Sequence, residues 1–394
     1  LVSSLRARRE SMVLAMATRV LVLALFSSVD CYIRSSPASP ALSVRRHAVS
    51  TQTPLLLRSA PPRASAAALI ALPGRPTLNA ALLATTVSAL VLWLIRVLNT
   101  PSRVYDRAAN SVGREYDAWT SEGILEYYWG EHIHLGYYEE GQRSGPFYGG
   151  KDFIQAKYDF IDRMLAFSKA DAPTNVLDVG CGIGGPSRYL AKKFPQASVT
   201  GITISPEQQQ RASKLAAERG IPNAKFELCD ALAMKYPDNS FDFVWACESG
   251  EHMPDKEKYV QEMSRVLKPG GRMVIATWCQ REQPPEFTPS ERKTLDYLYG
   301  EWTHPYFISI DEYARIMQRT GVLEQVATDD WAAQTIPAWR HSVWVGVWDP
   351  WPVVRRPHLW WKTVRDAWCL EVMHRAFTDG LMQYGMMTAQ KKAV

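Results

Sequence analysis

Lysine is missing from the first hundred residues, where eleven arginines face only two acids, Glu10 and Asp30. That stretch carries +9, while the remaining 294 residues hold 34 basic and 38 acidic side chains, or −4. The net +5 of the 394-residue chain therefore describes neither part. The body has no basic stripe of the kind that a phosphate backbone needs, which argues against a nucleic-acid partner. Cysteine is scarce: six residues, widely scattered, form neither a disulfide framework nor a C-x-x-C pair or Cys/His cluster at zinc spacing, and no metal ligand is assigned. Internal repeats are absent. With 46% hydrophobic and 22% charged residues, the composition excludes collagen, coiled coil and wholesale disorder. The length fits two average domains, or one large domain with additions, and can bury a core without staples. Tryptophan is abundant, and ten of the 14 lie beyond residue 270, which suggests a bulky aromatic C-terminal region.

The first residue is Leu1, and translation is expected to start at Met12 or Met16. MVLAMATRVLVLALFSSVDC, from Met12, places a short apolar run after a basic residue and resembles a secretory signal peptide. A Ser-, Ala-, Pro- and Arg-rich tract follows to about Arg75, with transit-peptide composition. Signal and transit in tandem resemble the bipartite leader of plastids bounded by extra membranes, so residues 1–75 are read as a plastid-targeting leader. Residues 76–97, including LNAALLATTVSALVLWLI at Leu78–Ile95, read as a transmembrane anchor, since about twenty apolar residues cover a ~30 Å hydrocarbon core. Thr85, Thr86 and Ser88 can bond their own helix carbonyls. Arg96, Arg103 and Arg107 favour keeping the body on the non-translocated face.

Residues 98–170 read as N-terminal cap helices, and beyond 170 strands and helices alternate. Strands are expected at Asn175–Val179, Ser198–Ile204, Ala224–Cys229, Phe241–Cys247 and Arg272–Trp278. Helices are expected at Gly184–Phe194, at Pro206–Arg219 with Ser205 as N-cap and Pro206 at the first helical position, and at Lys256–Leu267, stopped by Lys268-Pro269-Gly270-Gly271. Buried β-branched strands alternating with helices imply an α/β fold, a parallel sheet with helices on both faces. Residues 171–280 are the core of that fold, and 281–394 an acceptor-binding region with the final strands.

The segment VLDVGCGIGG, Val176–Gly185, follows a strand and opens a helix, and Gly180, Gly182 and Gly185 fit G-x-G-x-x-G. That alone leaves NAD, FAD and S-adenosylmethionine open. A dinucleotide site wants an acid at the end of the second strand for the ribose hydroxyls, and Gly201–Ser205, GITIS, has none. Asp178 precedes the glycines, where a carboxylate attracts a sulfonium and an ammonium but repels a diphosphate. D-x-G-x-G-x-G resembles motif I of the class I S-adenosylmethionine-dependent methyltransferases, whose Rossmann-like fold it implies. Cys229-Asp230-Ala231 after the third strand, PDNSFDFVW at Pro237–Trp245 and VLKPGGRMVI at Val266–Ile275 resemble further motifs of the same family. The resemblance implies S-adenosyl-L-methionine as cofactor, held by Asp178, Gly180, Cys181, Gly182, Gly184, Thr203, Gln208, Asp230, Ala231 and Glu248.

YDAWTSEGILEYYWGEHIHLGYY at Tyr116–Tyr138, GCGIGGPSRYLAKKF at Gly180–Phe194, GITISPEQQQRA at Gly201–Ala212 and ESGEHMPDK at Glu248–Lys256 resemble the plant and cyanobacterial methyltransferases of tocopherol and plastoquinone synthesis. The resemblance runs from about Ala81 to Val394. It implies a prenylated quinol or chromanol lipid as partner, in or beside a plastid membrane. KDFIQAKYDFI at Lys151–Ile161 and EWTHPYF at Glu301–Phe307 resemble the members acting on 2-methyl-6-phytyl-1,4-benzoquinol and its solanesyl analogue. ESGEHMPDK and TWCQRE at Thr277–Glu282 resemble the gamma-tocopherol enzymes, which stay as the alternative. Pro186 departs from the serine usual at that place. Sterol C- and small-amine N-methyltransferases are more distant alternatives, and a membrane-tethered scaffold without catalysis would be of a different class.

A prenyl chain needs a long apolar slot. Trp331, Trp339, Trp344, Trp348, Trp351, Trp360, Trp361 and Trp368, with Met373, Met382, Met386 and Met387, can wall one or simply pack as core. Methyl transfer to a ring carbon is an in-line displacement, helped by a base on the ring hydroxyl. His252 and Glu251 are the catalytic candidates, with Glu248, His132 and His134 behind them. Tyr127, Tyr128 and Trp129 can close over the site, and His132 and His134 can order the same cap.

Overall fold

The computed structural model describes residues 78–142 and 150–393. The leader read over residues 1–75 lies outside the described residues. The chain divides into two compact units, Leu1–Val97 and Leu98–Val394. In the first, the described residues form one helix, α1 (Leu78–Leu98), which runs to the boundary. No described helix is long and apolar enough to cross a membrane, so the anchor expected at 76–97 is not met. Polar Asn79 and charged Arg96 bound its apolar middle, and residues 80–95 at the helical rise cover about 24 Å against the ~30 Å of a hydrocarbon core.

The second unit takes in cap, core and tail together. Its sheet contains β1 (Asn175–Val179), β2 (Ser198–Thr203), β3 (Ala224–Leu228), β4 (Phe241–Cys247), β5 (Leu267–Gln280), β6 (Leu323–Asp330) and β7 (Met382–Lys391), in the order β3-β2-β1-β4-β5-β7-β6. The first five are parallel. β7 runs antiparallel to both β5 and β6, so the sheet is mixed rather than wholly parallel. Apolar periodicity reports which faces are buried, and it carries no information about a neighbour's direction. β5 also begins at Leu267, through the expected Lys268–Gly271 turn, because Leu267 still pairs with Phe241 across an irregularity in register.

The cap comprises α2 (Ser111–Glu122), α3 (Ile124–Trp129) and α4 (Phe153–Ser168). Gly123, left-handed at φ +66, ends α2 and starts α3. The core helices are α5 (Gly185–Lys193), α6 (Pro206–Glu218) and α7 (Lys256–Val266). Ser205 caps α6 by accepting from the Gln208 N–H, as its sequence implies. The tail adds α8 (Pro289–Glu301), α9 (Ile310–Arg319), α10 (Ala332–Trp348), the short α11 (Trp351–Val354) and α12 (Trp360–Thr378). Much of its aromatic and sulfur content is core: Trp331, Trp339, Trp368, Met373, Met382, Met386 and Met387 are buried. Strand order reverses between β1 and β4, and the crevice beyond their C-terminal ends is where such sheets bind ligands.

Candidate active site

The chain leaves β1 through a glycine turn, and the N–H groups of Gly180 and Cys181 donate to the Ile202 carbonyl at 3.0 and 2.9 Å. A Cβ at Gly185 would lie 2.0 Å from the Glu131 carbonyl oxygen, because the cap crosses directly over the start of α5. At Gly182, left-handed at φ +56, the nearest atom to a Cβ would be Gln208 Nε2 at 4.0 Å. The first absence lets protein pack on protein. The second leaves open space in which a ligand can meet backbone.

That space belongs to a cavity of about 390 Å³. Asp178, Gly180, Cys181, Gly182, Thr203, Gln208, Asp230, Ala231, Glu248 and His252 line it; Gly184 and Glu251 do not. Asp178 accepts from Ser187 Oγ at 2.5 Å. Burial pushes its carboxyl up to about 7 against the pull of that bond. Asp178 thus braces the start of α5 as well as facing the cavity. Thr203 Oγ1 donates to Gln208 Oε1 at 2.8 Å, which fixes the glutamine amide beside Gly182. One oxygen of Asp230 accepts from the Leu232 N–H at 2.9 Å.

β4 leads into two carboxylates held differently, Glu248 half-buried and Glu251 buried. Glu248, left-handed at φ +49, accepts from the Leu135 N–H at 2.8 Å and from the Tyr384 hydroxyl at 2.6 Å. It ties cap to sheet at the cavity wall. Glu251 accepts from Thr277 Oγ1 at 2.6 Å, beside the sheet. Burial raises both above the ordinary carboxylate range. Lys256 donates to the Gly250 and Glu251 carbonyls at 2.7 and 3.1 Å, and burial lowers it to about 7. In the single 3₁₀ turn Gly250–His252, neighbouring side chains diverge, so Glu251 and His252 face different surroundings.

His252 Nε2 lies 2.8 Å from the Tyr116 hydroxyl of α2. Burial, with the charge of Lys256 adding to it, lowers the imidazole to about 3 and keeps it neutral. Behind it His304 is buried, its ring 4.5 Å from that of His252, with both nitrogens unpartnered. His134 lines the cavity and its Nδ1 lies 2.8 Å from the Leu135 carbonyl oxygen; His132 is buried against Tyr158. Tyr127 and Tyr128 instead bond Asp349, and Trp129 stacks under the Lys157 ammonium. None of these three lines the cavity, and neither does any tryptophan of the tail. Cap residues Tyr105, Arg107, Asn110 and Tyr116 do, which sequence reasoning missed. Tyr116 opens the YDAWTSEG motif, but nothing local marks a tyrosine as a histidine's partner.

The site suits S-adenosylmethionine. A carboxylate stands at the loop, an acid and backbone follow β3, and a glycine opens onto free volume. Among the described residues no group of three His, Cys, Asp or Glu is placed to hold a metal. A methyltransferase-domain family matches residues 170–321. The 2-methyl-6-phytyl-1,4-hydroquinone methyltransferase of Synechocystis sp. is 43% identical over 301 residues, 73% of this chain and 89% of that protein. The chloroplastic tocopherol O-methyltransferase of Arabidopsis thaliana is 35% identical over 292 residues, 69% of this chain and 79% of that protein. Among solved structures, geranyl diphosphate C-methyltransferase from Streptomyces coelicolor matches with a TM-score of 0.57, covering 74% of this chain and 100% of that one; at 18% identity it shows the fold. Sheet order, glycine turn and these likenesses agree: the chain is an S-adenosylmethionine-dependent methyltransferase of class I, and belongs to the family of the 2-methyl-6-phytyl-1,4-hydroquinone and tocopherol methyltransferases.

Proposed function

We propose that the chain methylates a ring carbon of a prenylated aromatic quinol, 2-methyl-6-phytyl-1,4-benzoquinol or its solanesyl analogue. The observation that carries this reading is the 43% identity to the Synechocystis enzyme over 89% of its length. Gamma-tocopherol is the second acceptor, favoured by the likeness of ESGEHMPDK and by the Arabidopsis relative. A plastid setting is part of the reading: the Arabidopsis relative is chloroplastic, and such acceptors dissolve in its membranes.

S-adenosylmethionine, when bound, supplies an electrophilic methyl on a sulfonium. Asp178 and the backbone of Gly180, Cys181 and Gly182 hold its cationic amino-acid end. Asp230 and Ala231 meet the adenine, and Gln208, fixed by Thr203, meets the remaining polar groups. Glu248 holds the cap closed through Leu135. His252, oriented through Nε2 by the Tyr116 hydroxyl, accepts a hydrogen bond from a ring hydroxyl of the quinol at Nδ1, which has no protein partner among the described residues. A half-buried neutral imidazole is a weak base, but it need not be a strong one. As the ring carbon gains its methyl, the ring becomes cationic and its hydroxyl strongly acidic. His252 then takes that proton, leaving a neutral dienone, and returns it to the oxygen as the proton of the methylated carbon is lost and the ring recovers aromaticity. The net change is one methyl gained and one proton released. Incubation with each quinol and the cofactor, followed by mass spectrometry of the product, tests this; a methyl on oxygen or nitrogen instead of ring carbon would end it.

A further inference from the structure

Most of the tail's aromatic residues are buried, but two tryptophans at the start of α12 are not: Trp360 is 40% and Trp361 46% exposed. Tyr127 of α3 is 60% exposed. Tail and cap are joined at this place. Tyr127 donates to Asp349 at 2.6 Å, Arg356 donates to the Glu122 carbonyl at 3.0 Å, and Lys362 pairs with the Glu122 carboxylate at 2.8 Å. Between Pro350 and Arg365 the sequence has no acid; it carries Arg355, Arg356, His358 and Lys362, the first three exposed. The nearest acids, Asp349 and Glu122, are engaged by Tyr127 and Lys362. With Glu122 matched by Lys362 and Asp349 as the remaining acid beside Tyr127, this face shows aromatic rings with Arg355 and Arg356 in excess.

We propose that this face rests on an anionic lipid bilayer. Indole and phenol rings favour the headgroup boundary, where one part meets hydrocarbon and another meets water. Exposed basic residues beside them fit the negative surface of a leaflet. Trp360 and Trp361 are adjacent and both leave indole surface in water. The placement also serves the reaction: α2 carries Val112 and Tyr116 in the cavity wall and Glu122 under the patch. At 1.5 Å per residue these ends lie within about 15 Å, so one helix carries both a cavity wall and the underside of the face. The surface goes beyond the choice of acceptor, and vesicle binding reads it without any turnover.

The test uses the full chain with Cys31→Ser and His358→Cys, the new thiol carrying an environment-sensitive dye; the other five cysteines are buried. Vesicles of phosphatidylcholine with phosphatidylglycerol should shift the dye's emission to the blue. Phosphatidylcholine alone or high salt should give a much smaller shift. The same dye at Lys225→Cys, on the edge strand β3, should not respond. Adding Trp360→Ala and Trp361→Ala should weaken vesicle partitioning at position 358 by about tenfold, while S-adenosylmethionine binding is retained. Equal responses at 358 and 225, or a dye at 358 that stays wet while the protein floats with vesicles, would overturn the proposal. So would a shift that needs no lipid and grows with protein concentration, which would make the face a contact between copies.

Discussion

His252 is the residue on which the proposed chemistry turns, and its surroundings set what it can do. Its neutral ring sits 2.8 Å from Tyr116, and in the proposed reaction it accepts from a quinol hydroxyl. His252→Ala should therefore lower kcat by about 10²–10³-fold while leaving the dissociation constant of S-adenosylmethionine within a few-fold, as single-turnover kinetics and calorimetry can separate. Tyr116→Phe should lower kcat less, because it loosens the imidazole without removing it. Asp178 makes a pH prediction. Its carboxyl is raised to about 7 by burial, so it is neutral below that pH and charged above it. Attraction for a cationic cofactor appears as pH rises, and the dissociation constant should fall between about pH 6 and 8 and then level off. Asp178→Asn should flatten that profile and bind weakly throughout. Sequence reading reached Asp178, Asp230 and His252 because each stands at a fixed offset from a strand end or a glycine turn. It did not reach Tyr116 or His304, which meet His252 only when α2 and the segment after α8 fold against it. It also grouped Glu251 with His252, which a backbone turn keeps apart.

At the scale of elements, the cap matters as much as the sheet. α2 docks on α6 through Asp117, which accepts from Ser205 Oγ at 2.5 Å, and its N-terminal half walls the cavity. The entry to the cap is locked from below by Glu301, fully buried at the end of α8. It accepts from Arg103 at 3.0 Å, from Arg365 of α12 at 2.5 Å and from the Ser102 N–H at 3.1 Å. Removing one member of such a cluster leaves buried charge uncompensated. Glu301→Ala should cost about 3 kcal/mol of stability, read as a lower midpoint in urea with little change in slope. Strands β1 to β4 and the helices between them were legible because each carries its own signal: a short apolar run, a Ser-Pro start, a glycine stop. β7 was not, since a strand of ten residues buried on both faces has no alternation to read, and its place is fixed by pairing with β5 across more than a hundred residues of sequence and with β6 across more than fifty.

For the whole molecule, abundance of tryptophan and methionine promised a slot beside the cofactor, and the fold spends much of it on core. Trp339, Met386 and Met387 are fully buried, which leaves the cavity wall to cap and strand-end residues. Composition counts apolar side chains, and only the packed chain decides which of them face a ligand. Substrate choice therefore rests on cap and cavity. Exchanging Asn110 for Leu at the cavity wall should raise the KM for S-adenosylmethionine or quinol and also lower stability by about 2 kcal/mol, because Asn110 caps α2 from a left-handed backbone that leucine disfavours. The most direct measurement supplies methyl-labelled S-adenosylmethionine to the full chain with 2-methyl-6-phytyl-1,4-benzoquinol, gamma-tocopherol and a small amine in parallel. Label is expected on a ring carbon of the benzoquinol, with His252→Ala slower by about a hundredfold. Label on the amine alone, or on no prenylated ring, would contradict it.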